Sequence, residues 1–273
     1  MKRILLCFLL VGTLSGISAQ KKKAKDNYSR AVFTMNDGSE KPILFYGYTY
    51  PTESFYAFMK GSDIYHFEYK LDPESKLLKV DAKEVKKVKF LDEYEDEKLG
   101  LERLKLKAIN AKGEVTDKAY DSWQPLLYDG KIKIYGSTMY SCTNNVCSYG
   151  NTKIYLRNAK DEFAIMPIDY DRLNLLNIGR IDEKMVEAFR MVGSGCSDFN
   201  VYLDSLYSKM QDKVFRKQFS QDWMAVRKKA MKDGREQRLG FAGTQKLIGT
   251  YMMEFYMKLY TGIVLEYEKN CKH

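Results

Sequence analysis

Apolar and polar positions alternate from Tyr28 to Ile168, and beyond Ile181 the apolar positions recur every three or four residues. The first period is that of strands with one buried face, the second that of amphipathic helices. Leu126 to Ile168 holds the clearest hairpin. Ile132 and Ile134 alternate with Lys131, Lys133 and Tyr135; Ile154 and Leu156 alternate with Lys153, Tyr155 and Arg157. Asn144-Asn145 suits the tight turn between them, because Asn tolerates positive φ, and this sets Cys142 opposite Cys147. Strict counting back from that pair sets Ile134 opposite Tyr155 and puts the two apolar sets on opposite faces. One extra residue on the first strand restores Ile134 opposite Ile154. Gly136 is the expected bulge, since glycine adopts that conformation without steric cost.

Other strands are expected at Tyr28 to Met35, Pro42 to Tyr50, Ile64 to Leu71, Leu77 to Val80, Val85 to Phe90, Leu101 to Ile109 and Phe163 to Ile168. In the third, Tyr65, Phe67 and Tyr69 share one face and His66 and Glu68 the other. Roughly eight to ten short strands without intervening helix signals predict an antiparallel β region over 28–170, closed as a barrel or stacked as a sandwich.

Four helices are expected over 180–271. Asp182 is placed to cap the first, which carries Met185, Phe189 and Val192 and ends at Gly193. Asp198 is placed to cap the second and Ser220 the third, with Trp223, Val226 and Ala230 inward and a stop near Gly234. The last begins at Thr244, with a stripe of Ile248, Met252, Phe255, Leu259, Ile263 and Tyr267. Glu254, Lys258 and Glu266 interrupt it, so it reads as a core helix rather than a membrane span. The fold class is therefore α+β: an antiparallel β-rich N-terminal half followed by a four-helix C-terminal half.

The first nineteen residues change the compartment. Lys2 and Arg3 precede an apolar run from Ile4 to Val11, and Gly16-Ile17-Ser18-Ala19 supplies small residues for cleavage between Ala19 and Gln20. Residues 1–19 thus read as a signal peptide and 20–27 as a disordered basic segment, leaving no transmembrane span in the mature chain. The expected location is the periplasm or cell surface. Loss of Cys7 with the signal leaves Cys142, Cys147, Cys196 and Cys271, an even set that suits disulfides in an exported chain. Pairing Cys142 with Cys147 leaves Cys196 for Cys271; the alternative is that the latter two are free thiols.

Chemistry is scarce. The 273 residues include two histidines, His66 in a strand and His273 at the end, so base-assisted nucleophilic catalysis has little to draw on. Phosphate-loop, dinucleotide, zinc-protease and Cys-x-x-Cys motifs are absent, and Gly193-Ser194-Gly195 reads as a helix-to-helix turn. No cofactor is implied. Asp92 to Glu97 is read as an acidic loop, solvated in the plain reading and calcium-binding in the alternative. Asp169 and Asp171 are the carboxylates a glycan hydrolase would use; turn and cap roles are the plain reading. The net charge of +9 is concentrated between Lys213 and Arg238, where Arg227, Lys228, Lys232 and Arg235 are candidates for an anion-binding face. A solvated helix face is the alternative.

Ala19-Gln20 at the signal's end, β structure ahead of a helical tail, and Gly195-Cys196-Ser197-Asp198-Phe199 before a helix resemble uncharacterised exported proteins of Bacteroidetes. That resemblance carries no established activity. The combined expectation is a non-catalytic binding protein whose partner is an envelope protein, a glycan or an anionic lipid, and not nucleic acid. The alternatives are a glycan-acting hydrolase with a carboxylate pair and an outer-membrane assembly factor.

Overall fold

The computed structural model describes residues 28–49, 64–94, 98–110, 112–143, 146–167 and 181–271; the signal segment and the basic segment after it lie outside these. Ten strands come first: β1 (Ser29–Met35), β2 (Glu40–Thr49), β3 (His66–Lys70), β4 (Leu78–Asp81), β5 (Val85–Tyr94), β6 (Lys98–Ala108), β7 (Tyr120–Tyr128), β8 (Ile132–Thr143), β9 (Val146–Asn158) and β10 (Phe163–Met166). Four helices follow: α1 (Ile181–Val192), α2 (Ser197–Gln211), α3 (Lys213–Glu236) and α4 (Gly240–Asn270).

The strands form one sheet in the order β10-β9-β8-β7-β6-β5-β1-β2-β3-β4, and β10 also pairs with β6. That extra pairing closes β6 to β10 into a five-stranded barrel and settles the choice between barrel and sandwich. The closing seam is parallel, with Phe163 to Met166 beside Lys105 to Ala108, whereas sequence reading expected antiparallel pairing throughout. β6 serves both parts: its start pairs with β5 and its end with β10. A Cβ at Gly100 would lie 2.2 Å from the Val88 carbonyl oxygen, so only glycine admits β5 this close.

Three clusters fill the β region and the helices packed on it. Leu104, Leu106, Leu126, Tyr135, Tyr155 and Met166 pack inside the barrel. The opposite faces of β8 and β9, with Ile132, Ile134, Ile154 and Leu156, pack against Phe189, Phe199, Val264 and Tyr267 of the helices. Both faces of the hairpin around Ile132 to Tyr135 and Ile154 to Leu156 are therefore buried, and the positions read as polar, Tyr135 and Tyr155, are core. A third cluster joins Phe33, Phe45 and Phe67 of the first strands to Leu101 and Trp123. Phe67 meets Trp123 edge to face at 4.9 Å, so β3 folds back over β7. Tyr65, expected with Phe67 and Tyr69, is instead exposed just before β3.

Two strands depart from expectation. β5 runs to Tyr94, so Asp92 and Glu93 lie in a strand and not in a loop. β7 escapes sequence reading because Pro125 interrupts it; proline is depleted inside sheets. In the β8–β9 hairpin Cys142 does face Cys147, but the bulge lies between Met139 and Tyr140 and the added residue is Gly150 on β9. Parity is restored with Ile134 opposite Leu156. Gly136 instead allows the two strands to approach, since a Cβ there would lie 2.2 Å from the Lys153 carbonyl oxygen.

The helix starts shift upstream. α1 begins at Ile181, which puts Asp182 in its first turn. Cys196 is the N-cap residue of α2, and Asp198 lies in the first turn, where its charge complements the dipole. Asp212 caps α3, accepting from the Phe215 N–H at 2.9 Å, and this stronger signal leaves Ser220 inside the helix. α4 begins at Gly240, and Thr244 donates its hydroxyl back to the Gly240 carbonyl oxygen.

Candidate functional site

Glu102 stands on the barrel-facing parity of β6, below Leu104 and Leu106, and only 6% of it is exposed. A buried carboxylate must be paired. Arg157 Nη2 of β9 lies 2.5 Å from its Oε2, Lys87 Nζ of β5 lies 3.0 Å from Oε1 and Lys133 Nζ of β8 lies 3.5 Å away. Tyr135 donates its hydroxyl to Oε2 at 2.7 Å. Burial pushes the Glu102 carboxyl upward, but hydrogen bonds from Tyr135 and Lys87 and the charges of Lys87 and Arg157 outweigh it and hold the group at about 2. Burial, then the Glu102 charge, pushes the Tyr135 phenol up. Both oxygens of Glu102 are thus taken up by side chains of β5, β8 and β9.

The cations marked in the sequence are gathered elsewhere. α4 spans roughly 46 Å at about 1.5 Å per residue. Its C-terminal half, from Tyr260 to Tyr267, packs on the barrel with α1 and α2. Its N-terminal half packs with α3: Ala230, Ile248 and Met252 are buried together, with Trp223, Val226 and Tyr251 around them. A Cβ at Gly234 would meet the Thr244 side chain at 2.7 Å, so the two helices cross closely at that point. α3 and the start of α4 thus form an antiparallel arm with a small core of its own.

Because α3 buries Trp223, Val226 and Ala230, a repeat of about 3.6 residues sends Lys217, Lys228, Lys232 and Arg235 to the opposite side. All four are exposed, as are Lys213 and Arg227 nearer the flanks. Lys232 reaches Glu236 at 3.7 Å, and Arg227 lies over the Trp223 ring at 5.8 Å. Lys213, Lys217 and Lys228 have no carboxylate partner among the described residues. Met224 and Met231 lie on this same face, 44% and 40% exposed. Nine Lys and Arg stand against three acids between Lys213 and Arg238. At the tip, Arg238 and Gly240 take positive φ, Leu239 is 40% exposed and Phe241 64%.

The four candidate anion-binding residues therefore share one helix. Cys196 and Cys271 are brought together, with sulfurs 1.99 Å apart, linking the start of α2 to the end of α4. The sulfur pairing of Cys142 and Cys147 lies outside the described side chains, as do Asp169, Asp171, Ala19 and Gln20. Asp92 is bound by Arg30, whose Nη2 lies 2.6 Å from Oδ1; Glu95 to Glu97 lie outside the described residues. His66 packs edge-on to Tyr65 at 4.2 Å. Among the described residues no group of His, Cys, Asp and Glu is arranged to hold a metal, and no helix is long and apolar enough to cross a membrane.

A groove of about 470 Å³ between β7 and α4 is lined by Leu127, Met253, Met257 and Leu265, with Glu254 and Lys258 at its rim. Glu254 is the one carboxylate among its lining residues. Sequence reading missed the Glu102 group. Its signal was a parity clash, since Glu102 shares its face with Leu104 and Leu106. No family model, curated protein or solved structure matches the chain.

Proposed function

We propose that this is an exported, non-catalytic binding protein that engages an anionic partner through the α3 face of its helical arm. The observation that carries the reading is Lys217, Lys228 and Arg235 aligned on one exposed side of α3, with Lys213 at its edge, all without carboxylate partners among the described residues. Ion-paired lysines on a solvated face are neutralised locally; an unpaired row sums its field and draws in anions. The barrel and the disulfide support it as a rigid platform. The signal pattern and a bonded cysteine pair, which persists in oxidising compartments, support export. The partner classes that fit are an anionic lipid, an acidic glycan or an acidic envelope protein. The test is retention of the mature chain on immobilised heparin against salt. The wild type is expected to be retained and the K217E/K228E/R235E variant to elute at far lower salt with an unchanged Tm. Equal elution of the two would remove the reading.

A further inference from the structure

Resting on that reading, we propose that the partner is an anionic phospholipid bilayer, with the arm's tip, Leu239 and Phe241, entering the acyl region. A soluble polyanion would use the charged face and leave the tip in water. The tip is instead apolar: Phe241 is the most exposed phenylalanine among the described residues at 64%, Leu239 is beside it, and Ala242 is also exposed. Such residues at the end of a two-helix arm gain nothing from water. Arg235 and Arg238 precede them and are exposed, placed to stay with headgroups while Leu239 and Phe241 descend. Met224 and Met231 extend the apolar character along the cationic face of α3. The first turn of α4 has no acid, so no like charge opposes the phosphates there. A basic face with apolar residues beside it is the composition of an interfacial helix.

The probes are vesicles of phosphatidylcholine with or without phosphatidylglycerol, and heparin. Wild-type protein is expected to float with the anionic vesicles only. The L239S/F241S variant is expected to lose vesicle affinity by about tenfold or more, from the area no longer buried, and to keep its elution from heparin. F241W fluorescence is expected to be quenched by acyl-brominated lipid in the anionic vesicles. Vesicle binding by L239S/F241S equal to wild type, or no quenching of F241W, would overturn tip insertion. Retention on heparin without any vesicle binding would overturn the lipid assignment and leave the anion-binding reading standing; failure on both would remove both.

Discussion

Arg157 Nη2 lies 2.5 Å from Glu102 Oε2, and this contact ties β9 to β6 across the barrel. Lys87 and Lys133 also stand beside Glu102, so one buried carboxylate holds three cations, of which Lys133 reaches Asp129 as well. Its folded carboxyl sits at about 2, below the ordinary 4.5 of an unfolded chain. The stability it contributes is therefore complete above about pH 4.5 and lost as pH falls toward 2, an amount of about 3 kcal/mol. E102Q is expected to cost about 3 kcal/mol at neutral pH, since it removes the charge that compensates partly buried Arg157 and Lys87. Urea unfolding from pH 2 to 7 checks both, with E102Q lacking this carboxyl's share of the acid-limb slope.

Gly234 and Thr244 set the approach of the arm's two helices. Alanine is ordinarily better than glycine inside a helix by about 1 kcal/mol. Here the added methyl would meet Thr244 Oγ1 at 2.7 Å and Cγ2 at 2.8 Å, so G234A is expected to destabilise by about 1–3 kcal/mol despite its propensity. T244A removes the two closest atoms, leaving Cβ at 3.1 Å, and is expected to recover part of the loss. Thermal unfolding of the two single variants and the double variant reads the coupling.

The Cys196–Cys271 bond spans a sequence separation of 75 and joins the start of α2 to the end of α4. Closing a loop of that length lowers unfolded-state entropy by about 4 kcal/mol. The C196S/C271S variant is expected to lose about that much, and non-reducing peptide mapping of the wild type is expected to recover the Cys196 and Cys271 peptides linked.

Much of the fold was legible because strands and helices have different periods, and Ile132, Ile134, Ile154 and Leu156 announced theirs. What stayed hidden followed from closure. In a barrel covered by helices both faces of a strand are buried, so Tyr135 and Tyr155 read as polar positions and are core. Pro125 masked β7, and the parallel β6–β10 seam leaves no local signal because its partners are far apart in sequence. The bulge was required by parity, but either strand could supply its residue, and Gly150 does so rather than Gly136. The cationic face was visible as composition; that Lys217, Lys228, Lys232 and Arg235 share one side emerges once Asp212 is seen to start the helix.

At Gly136 the β9 backbone occupies the place of a side chain. G136A would press a methyl against the Lys153 carbonyl oxygen and is expected to cost about 3 kcal/mol, while a bulge at this site would have tolerated it better. Chemical denaturation of G136A measures the difference.

The most direct measurement is hydrogen exchange of the mature protein with and without phosphatidylglycerol vesicles, read by peptide. Slowed exchange concentrated from Lys213 to Lys246, with the β6–β10 barrel unchanged, is the expected result. Protection confined to the barrel strands, with the α3 and α4 arm exchanging as it does free, would contradict the assignment of binding to the arm.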